Sequence, residues 1–380
     1  MTQALFERIK AAFTAAFFSR GEISSHRKTS KIFEFEASAR LYFDVLRTAI
    51  LASIAKNLKG DAVHMNSPHT LKGALSPVLT PFNEDGTPST ERLLRHCRAL
   101  IDDDVGLAVF GTNSEANSLT VAEKRSLLDA LLDAGLPAAR MMPGTGACAL
   151  PDTIELTRHA VTNGCAGVLM LPPFYYKGVS DEGLFRAYAS VIEAVGDARL
   201  KIYLYHIPQV AQVGLSLPLI GRLLEAYPGA IAGIKDSSGD WSNTAALIDA
   251  FAASGFDVFA GSETFLLRTL QAGGAGCITA TGNVNAATIA GLARNWQAVD
   301  APARQRRLDE TREVFQRFPM IAAMKAAIAW QSGDEGWARL RAPLVELDAS
   351  QRMQLESALT AIGFRIPHAA ELALSTEAAH

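Results

Sequence analysis

KIYLYHIPQVAQVGLSLPLIGRLLEAYPGAIAGIKDSS, residues 201–238, holds two short apolar runs with one amphipathic stretch between them. The runs 201–208 and 231–238 are rich in β-branched and aromatic residues and end in turn formers, so each reads as a strand buried on both faces. The intervening SLPLIGRLLEAYPG repeats its apolar residues at helical period, opens on Ser216 as a cap and closes on Gly229. A strand, a helix and a second buried strand make one unit of a parallel sheet.

Working outward, the same unit recurs. Apolar runs occupy 74–82, 105–112, 139–146, 166–174, 201–208, 231–238, 256–262 and 274–281, with amphipathic stretches between them. Several of those stretches open on Ser, Thr or Asp with acids in the first turn, where the helix dipole favours them. Eight such units fit a closed (β/α)8 TIM barrel better than an open doubly wound sheet. No GxGxxG opens a helix after the first run, which argues against a dinucleotide fold. After residue 285 the strand pattern stops, and 286–362 reads as helices. The expected organisation is therefore an N-terminal extension at 1–64, a barrel at 65–295, and C-terminal helices and tail at 296–380.

Composition sets the outer bounds. The chain has 380 residues, 49% hydrophobic and 20% charged, ordinary for a soluble globular protein. A net charge of −3 gives no electrostatic case for nucleic acid or an anionic membrane. Cys97, Cys148, Cys165 and Cys277 are scattered without metal-ligand spacing, so reduced thiols in the cytoplasm are expected. Residues 1–64 differ, with ten Lys and Arg against six Asp and Glu. Their most apolar part, 46–58, is too short to span a bilayer, and neither a secretory nor an organelle signal fits well. They read as a weakly structured extension, or as translation begun upstream of a start at Met65.

Chemistry in such a barrel gathers at the C-terminal strand ends. Lys235 ends the sixth run, and an ammonium in an apolar barrel mouth loses hydration, which favours the free amine. That amine can attack a carbonyl and form a Schiff base. The alternative is a lysine paired with Asp236 or reaching out at the rim. Side chains alternate along the fifth run, so Tyr203 and Tyr205 share one face while Leu204 and His206 share the other. Tyr205 can then relay protons beside Lys235, or simply fill the barrel. His206 is expected to face the helices. The second run ends in GTNSE, 111–115, where Gly111 permits a tight turn, Thr112, Asn113 and Ser114 offer donors to a carboxylate, and Glu115 braces the loop.

Taken together, GTNSE, PPFYYKGVSDEGL, YLYHIP, GIKDSSG, GSETFLL and GGAGCITATGNV resemble the dihydrodipicolinate synthase / N-acetylneuraminate lyase family in order and spacing, over roughly residues 70–360. The resemblance implies a class I lyase or aldolase that handles pyruvate on a (β/α)8 barrel. It makes Lys235 the Schiff-base lysine, Tyr205 the proton-moving phenol, and Thr112 the hydroxyl linking Tyr205 to a tyrosine lent by a neighbouring subunit. Counting from Pro173 makes that tyrosine Tyr175, whereas counting back from Ser180 gives Tyr176; Tyr175 is preferred. Asn113 stands where the family has a second threonine and is expected to bind the substrate carboxylate. Ile278 resembles a residue whose backbone contacts the keto acid. The implied assembly is a homo-oligomer, dimer or tetramer, with no metal and no cofactor.

One departure bears on substrate. The resemblance puts an arginine two residues after Pro208 in synthase members, to hold the second carboxylate. Val210 stands there, with Gln209 and Gln212 beside it, and an apolar side chain forms no bidentate clamp. The expected reaction is reversible aldol cleavage of a 4-hydroxy-2-oxo acid. Condensation of pyruvate with aspartate semialdehyde comes second, then dehydration or deamination of a related substrate. Outside enzymes, a 2-oxo-acid sensor on the same barrel is the rival. A phosphate-binding isomerase barrel finds only a poor anion loop in GNVNA, 282–286.

Overall fold

The computed structural model describes residues 71–374, so the expectations for 1–64 lie outside the described residues. Seven parallel strands form one sheet: β1 (Gly73–Ser76), β2 (Gly106–Leu107), β3 (Val168–Met170), β4 (Ile202–His206), β5 (Ile231–Asp236), β6 (Asp257–Ala260) and β7 (Gly276–Ile278). Their order is β2-β1-β7-β6-β5-β4-β3, which leaves β2 and β3 as the two edges.

The third apolar run fills that gap, although not as the strand expected at 139–146. Residues 138–140 form a 3-10 turn, and the segment after it makes only two isolated parallel bridges, Met141 to Leu107 and Gly144 to Leu169. The Met142 N–H donates to the Leu107 carbonyl at 2.8 Å, and the Thr145 N–H to Leu169 at 3.0 Å. Pro143 has no N–H, so a regular ladder cannot run through it. Gly144 is needed for the approach, since a Cβ there would stand 2.1 Å from the Phe110 carbonyl oxygen. With this segment as its eighth stave the sheet closes, and the fold is a (β/α)8 barrel.

Alternation sorts the strand residues into two cores. Leu75, Met142, Leu169, Tyr203, Tyr205, Phe259 and Ile278 pack together inside the barrel. Leu107, Val168, Ile202, Leu204, Ile234 and Val258 face outward, against the helices. Those helices are α1 (Thr90–Asp102), α2 (Val121–Asp133), α3 (Leu150–Thr162), α4 (Asp181–Val195), the short α5 (Pro208–Ala211), α6 (Leu217–Ala226), α7 (Trp241–Phe251), α8 (Leu266–Gln271) and α9 (Ala286–Arg294). The expected caps are in place at Thr120, Ser180 and Ser216, each accepting a main-chain N–H of the first turn, whereas α7 is capped by Asp240 rather than by the Ser242 that opens its stretch in the sequence.

Three further helices, α10 (Ala301–Gln316), α11 (Met320–Ser332) and α12 (Ala349–Ala361), form the C-terminal layer. Their core includes Phe315, Met324, Ile328, Trp337 and Leu359, together with Leu79 beyond β1 and Ala280 and Val284 beyond β7. The layer is therefore packed on the C-terminal rim of the barrel, beside the strand ends. Among the described residues, no helix is long and apolar enough to cross a membrane.

Candidate active site

Parallel register decides what meets Lys235. On β4 and β5 Tyr205 pairs with Lys235, and on β5 and β6 Lys235 pairs with Phe259. Tyr205 and Phe259 both point into the barrel, so Lys235 enters the same layer. Below it Gly233 leaves room for the Tyr203 ring, which a Cβ would meet at 2.7 Å. Lys235 is 2% exposed and does not reach out at the rim.

Nor does Lys235 pair with Asp236. Asp236 points the other way, where its carboxylate accepts from the Ser238 N–H at 3.0 Å and from Thr244 Oγ1 at 2.6 Å. His206, on that outer face as expected, accepts the Leu215 N–H on Nδ1 at 3.1 Å. Burial holds His206 below the usual histidine range, against the opposing pull of Asp236.

The partner of Lys235 is Tyr205. The lysine Nζ donates to the phenol oxygen at 3.2 Å and lies 4.3 Å from the ring centroid. Thr112 Oγ1 stands 3.3 Å from the same phenol oxygen. A hydroxyl, a phenol and an amine, from the loop after β2 and the ends of β4 and β5, thus form one hydrogen-bonded chain. Phe110, Gly111, Thr112, Gly144, Leu169 and Tyr205 line a cleft beside it. An amine beside a phenol can be relieved of its proton and given it back, which imine formation requires.

The loop that brings Thr112 there differs from expectation in one respect. Gly111 is extended, with φ −92°, and its N–H donates to Ser114 Oγ at 3.1 Å. The left-handed positions are Phe110 at φ 60° and Glu115 at φ 56°, so the tight turn does not depend on glycine. Thr112–Ser114 is a 3-10 turn, tied by Thr80 Oγ1 to the Ser114 carbonyl at 2.7 Å. Asn113 lies half-buried on the same turn.

The remaining candidates fall into two groups. Ile278 ends β7 and belongs to the interior cluster that holds Tyr205. Tyr175 does not join the chain. It is 73% exposed and packs edge-to-face on Tyr176, itself 72% exposed, with ring centroids 5.3 Å apart. Val210 is 61% exposed on α5. Near it the Lys177 ammonium is committed to two carbonyls, those of Phe174 and Ala211.

Glu115 is the expected brace, and its partner went unnoticed in the sequence. Lys325 of α11, fully buried, donates to Glu115 Oε1, and the Arg341 N–H donates to Oε2 at 3.1 Å. A signal existed: Lys325 is a lone cation in MIAAMKAAIAW, 320–330, the same anomaly that marks Lys235.

Comparison with known proteins identifies the family. The profile of the dihydrodipicolinate synthetase family matches residues 70–362. An uncharacterised DapA-like lyase from Chloroflexus aurantiacus is 35% identical over 76% of this chain and 95% of its own. The crystal structure of dihydrodipicolinate synthase from Agrobacterium tumefaciens superposes with a TM-score of 0.71 at 31% identity, over 77% of this chain and 99% of that one. YagE, a prophage protein of the dihydrodipicolinic acid synthase family from E. coli K12 solved with pyruvate, gives 0.70 at 26% identity, over 77% and 99%.

Proposed function

This chain belongs to the dihydrodipicolinate synthetase family and is a class I lyase of that family, and from that premise we propose that it cleaves a 4-hydroxy-2-oxo acid reversibly through a Schiff base on Lys235. The observation that carries the proposal is the chain Thr112–Tyr205–Lys235, with the lysine buried in the barrel and facing a phenol rather than a carboxylate.

The steps follow from that arrangement. The neutral Lys235 amine attacks the keto carbon of the 2-oxo acid, and Tyr205 carries protons so that water leaves and an iminium forms. A base then takes the proton of the 4-hydroxyl. The C3–C4 bond breaks, its electron pair passes into the iminium to give an enamine, and C4 departs as an aldehyde. Protonation at C3 and hydrolysis by water release pyruvate and restore the amine. Thr112 orients the phenol, and Asn113 with the N–H groups of its turn holds the substrate carboxylate. Ile278, closing the interior layer beside Tyr205, borders the bound keto acid.

Val210 favours cleavage over condensation with aspartate semialdehyde. A position that would need a cation for the semialdehyde carboxylate carries an exposed valine, and Lys177 nearby already serves two carbonyls. Synthase activity remains the second reading, because the Agrobacterium tumefaciens protein of similar structure is a dihydrodipicolinate synthase. The exposed Tyr175–Tyr176 pair supports assembly with a second copy, whose site would receive Tyr175 as a further proton carrier.

Incubation with pyruvate and borohydride should add one reduced pyruvyl group to the peptide containing Lys235, and Lys235→Ala should abolish both label and turnover. Label on another lysine, or none with any 2-oxo acid, overturns the proposal and leaves the sensor as the better account.

A further inference from the structure

Glu115 follows Thr112 by three residues and sits at φ 56°, in the left-handed region that side-chain-bearing residues occupy only when their surroundings over-determine them. Those surroundings come from the C-terminal layer. Lys325 on α11 holds Oε1 of Glu115, donates also to the Arg339 carbonyl at 2.8 Å, and stands 4.5 Å over the Phe82 ring. The main chain of Arg341 holds Oε2, while its guanidinium reaches the Ser118 carbonyl at 2.6 Å and Glu123 at 3.0 Å. The loop that carries Thr112 is thus fastened on both sides to residues 325–341.

Both members of the Lys325–Glu115 pair are fully buried in their side chains. Apolar residues of similar volume would hold two layers together at least as well as a buried ion pair does. What they would not provide is directional bonds that fix a carboxylate, and with it the backbone of the turn. We propose that Lys325, acting through Glu115, is a positioning residue that keeps the Thr112 hydroxyl within bonding distance of Tyr205. The C-terminal layer then sets the geometry of the proton relay without touching substrate. Burial draws the Lys325 ammonium down to about 8 even with Glu115 beside it, so the pair is maintained against a desolvation cost. The inference rests on the reading of Thr112 and Tyr205 as a relay.

The test is a cycle between the pair and Thr112. The charge-free double variant Glu115→Gln/Lys325→Met keeps the side-chain volumes and leaves no unpaired buried charge. Glu115→Gln alone is the milder second variant, since burial already disfavours the Lys325 charge and the neutral amine can meet the amide. Either variant should melt near the unmodified protein while kcat falls about tenfold or more, with KM for the 2-oxo acid within about threefold. In a Thr112→Val background the same changes should lower kcat by less than about twofold, because the hydroxyl they position is already gone. A kcat unaffected by the pair, or losses that simply add to that of Thr112→Val, would show a merely structural contact. A Thr112→Val variant with unchanged kcat would instead remove the relay reading itself, and this inference with it.

Discussion

Lys235 and Lys325 are both buried lysines, 2% and 0% exposed, and their partners separate their roles. Lys325 meets a carboxylate and a carbonyl, which satisfy a charge. Lys235 meets a phenol oxygen and the ring face that carries it. Tyr205 is therefore the residue whose loss should hurt chemistry without hurting the fold. Tyr205→Phe keeps the ring in the interior cluster and removes the oxygen shared by Thr112 and Lys235. Its kcat should drop roughly 10²–10⁴-fold, the usual worth of a positioned proton carrier. Borohydride trapping should still label Lys235, only more slowly, and a variant with normal kcat would exclude the phenol from the relay. At the mouth, Val210→Arg should raise the specificity constant for aspartate semialdehyde by roughly one to two decades, the worth of a charge-assisted bidentate contact. Side-by-side rates with a 4-hydroxy-2-oxo acid check this. A clearly preferred semialdehyde in the unmodified protein would mean that another group supplies the clamp.

Among the elements, α1 joins the barrel to the C-terminal layer through the Arg92–Asp334 ion pair and a buried histidine. His96 Nε2 is 3.0 Å from Asn283 Oδ1, an oxygen that also accepts the Leu79 N–H at 2.9 Å, and its ring packs edge-on to Trp337. Asn283 Oδ1 only accepts, so His96 donates to it from Nε2. Burial lowers it from 6.5 to about 4 despite that hydrogen bond. The unfolded chain thus binds a proton that the folded one refuses between pH 6.5 and about 4. Stability contributed by neutral His96 is complete above pH 6.5 and is lost as pH falls, by roughly 3 kcal/mol once below the folded value. His96→Gln keeps a donor for Asn283 and does not titrate, so its melting temperature should fall less steeply between pH 7 and 4. Parallel curves for the two proteins would show that His96 does not govern acid stability. The same scale shows what sequence could and could not convey. Period-two alternation correctly sorted Tyr203 and Tyr205 from Leu204 and His206, and cap residues correctly opened α2, α4 and α6. The third run failed as a strand because Pro143 interrupts its ladder, and only its spatial neighbours Leu107 and Leu169 reveal that it still closes the barrel.

For the whole molecule, legibility ran out where partners lie far apart in the chain. Lys235 and Tyr205 come from adjacent strands whose ends are aligned by register, so their meeting was readable from two local patterns. Glu115 and Lys325 are 210 positions apart, and no spacing rule connects them. Tyr175 has a surface setting, packed on Tyr176 and away from Tyr205. Matched length gives the last expectation. The family profile begins at residue 70, and the Agrobacterium tumefaciens structure is covered over 99% of its length by only 77% of this chain. A barrel with its C-terminal layer is thus complete in that protein without counterparts to the rest, and residues 1–64 carry a different charge balance, ten Lys and Arg against six Asp and Glu. A chain starting at Met65 should therefore retain kcat and KM and melt within roughly 3 °C of the full chain, about 2 kcal/mol for a domain of this size. Light scattering, calorimetry and turnover on the two chains decide the matter. Aggregation, or a lower melting temperature with slower turnover, would show that residues 1–64 contribute to the barrel or to its assembly.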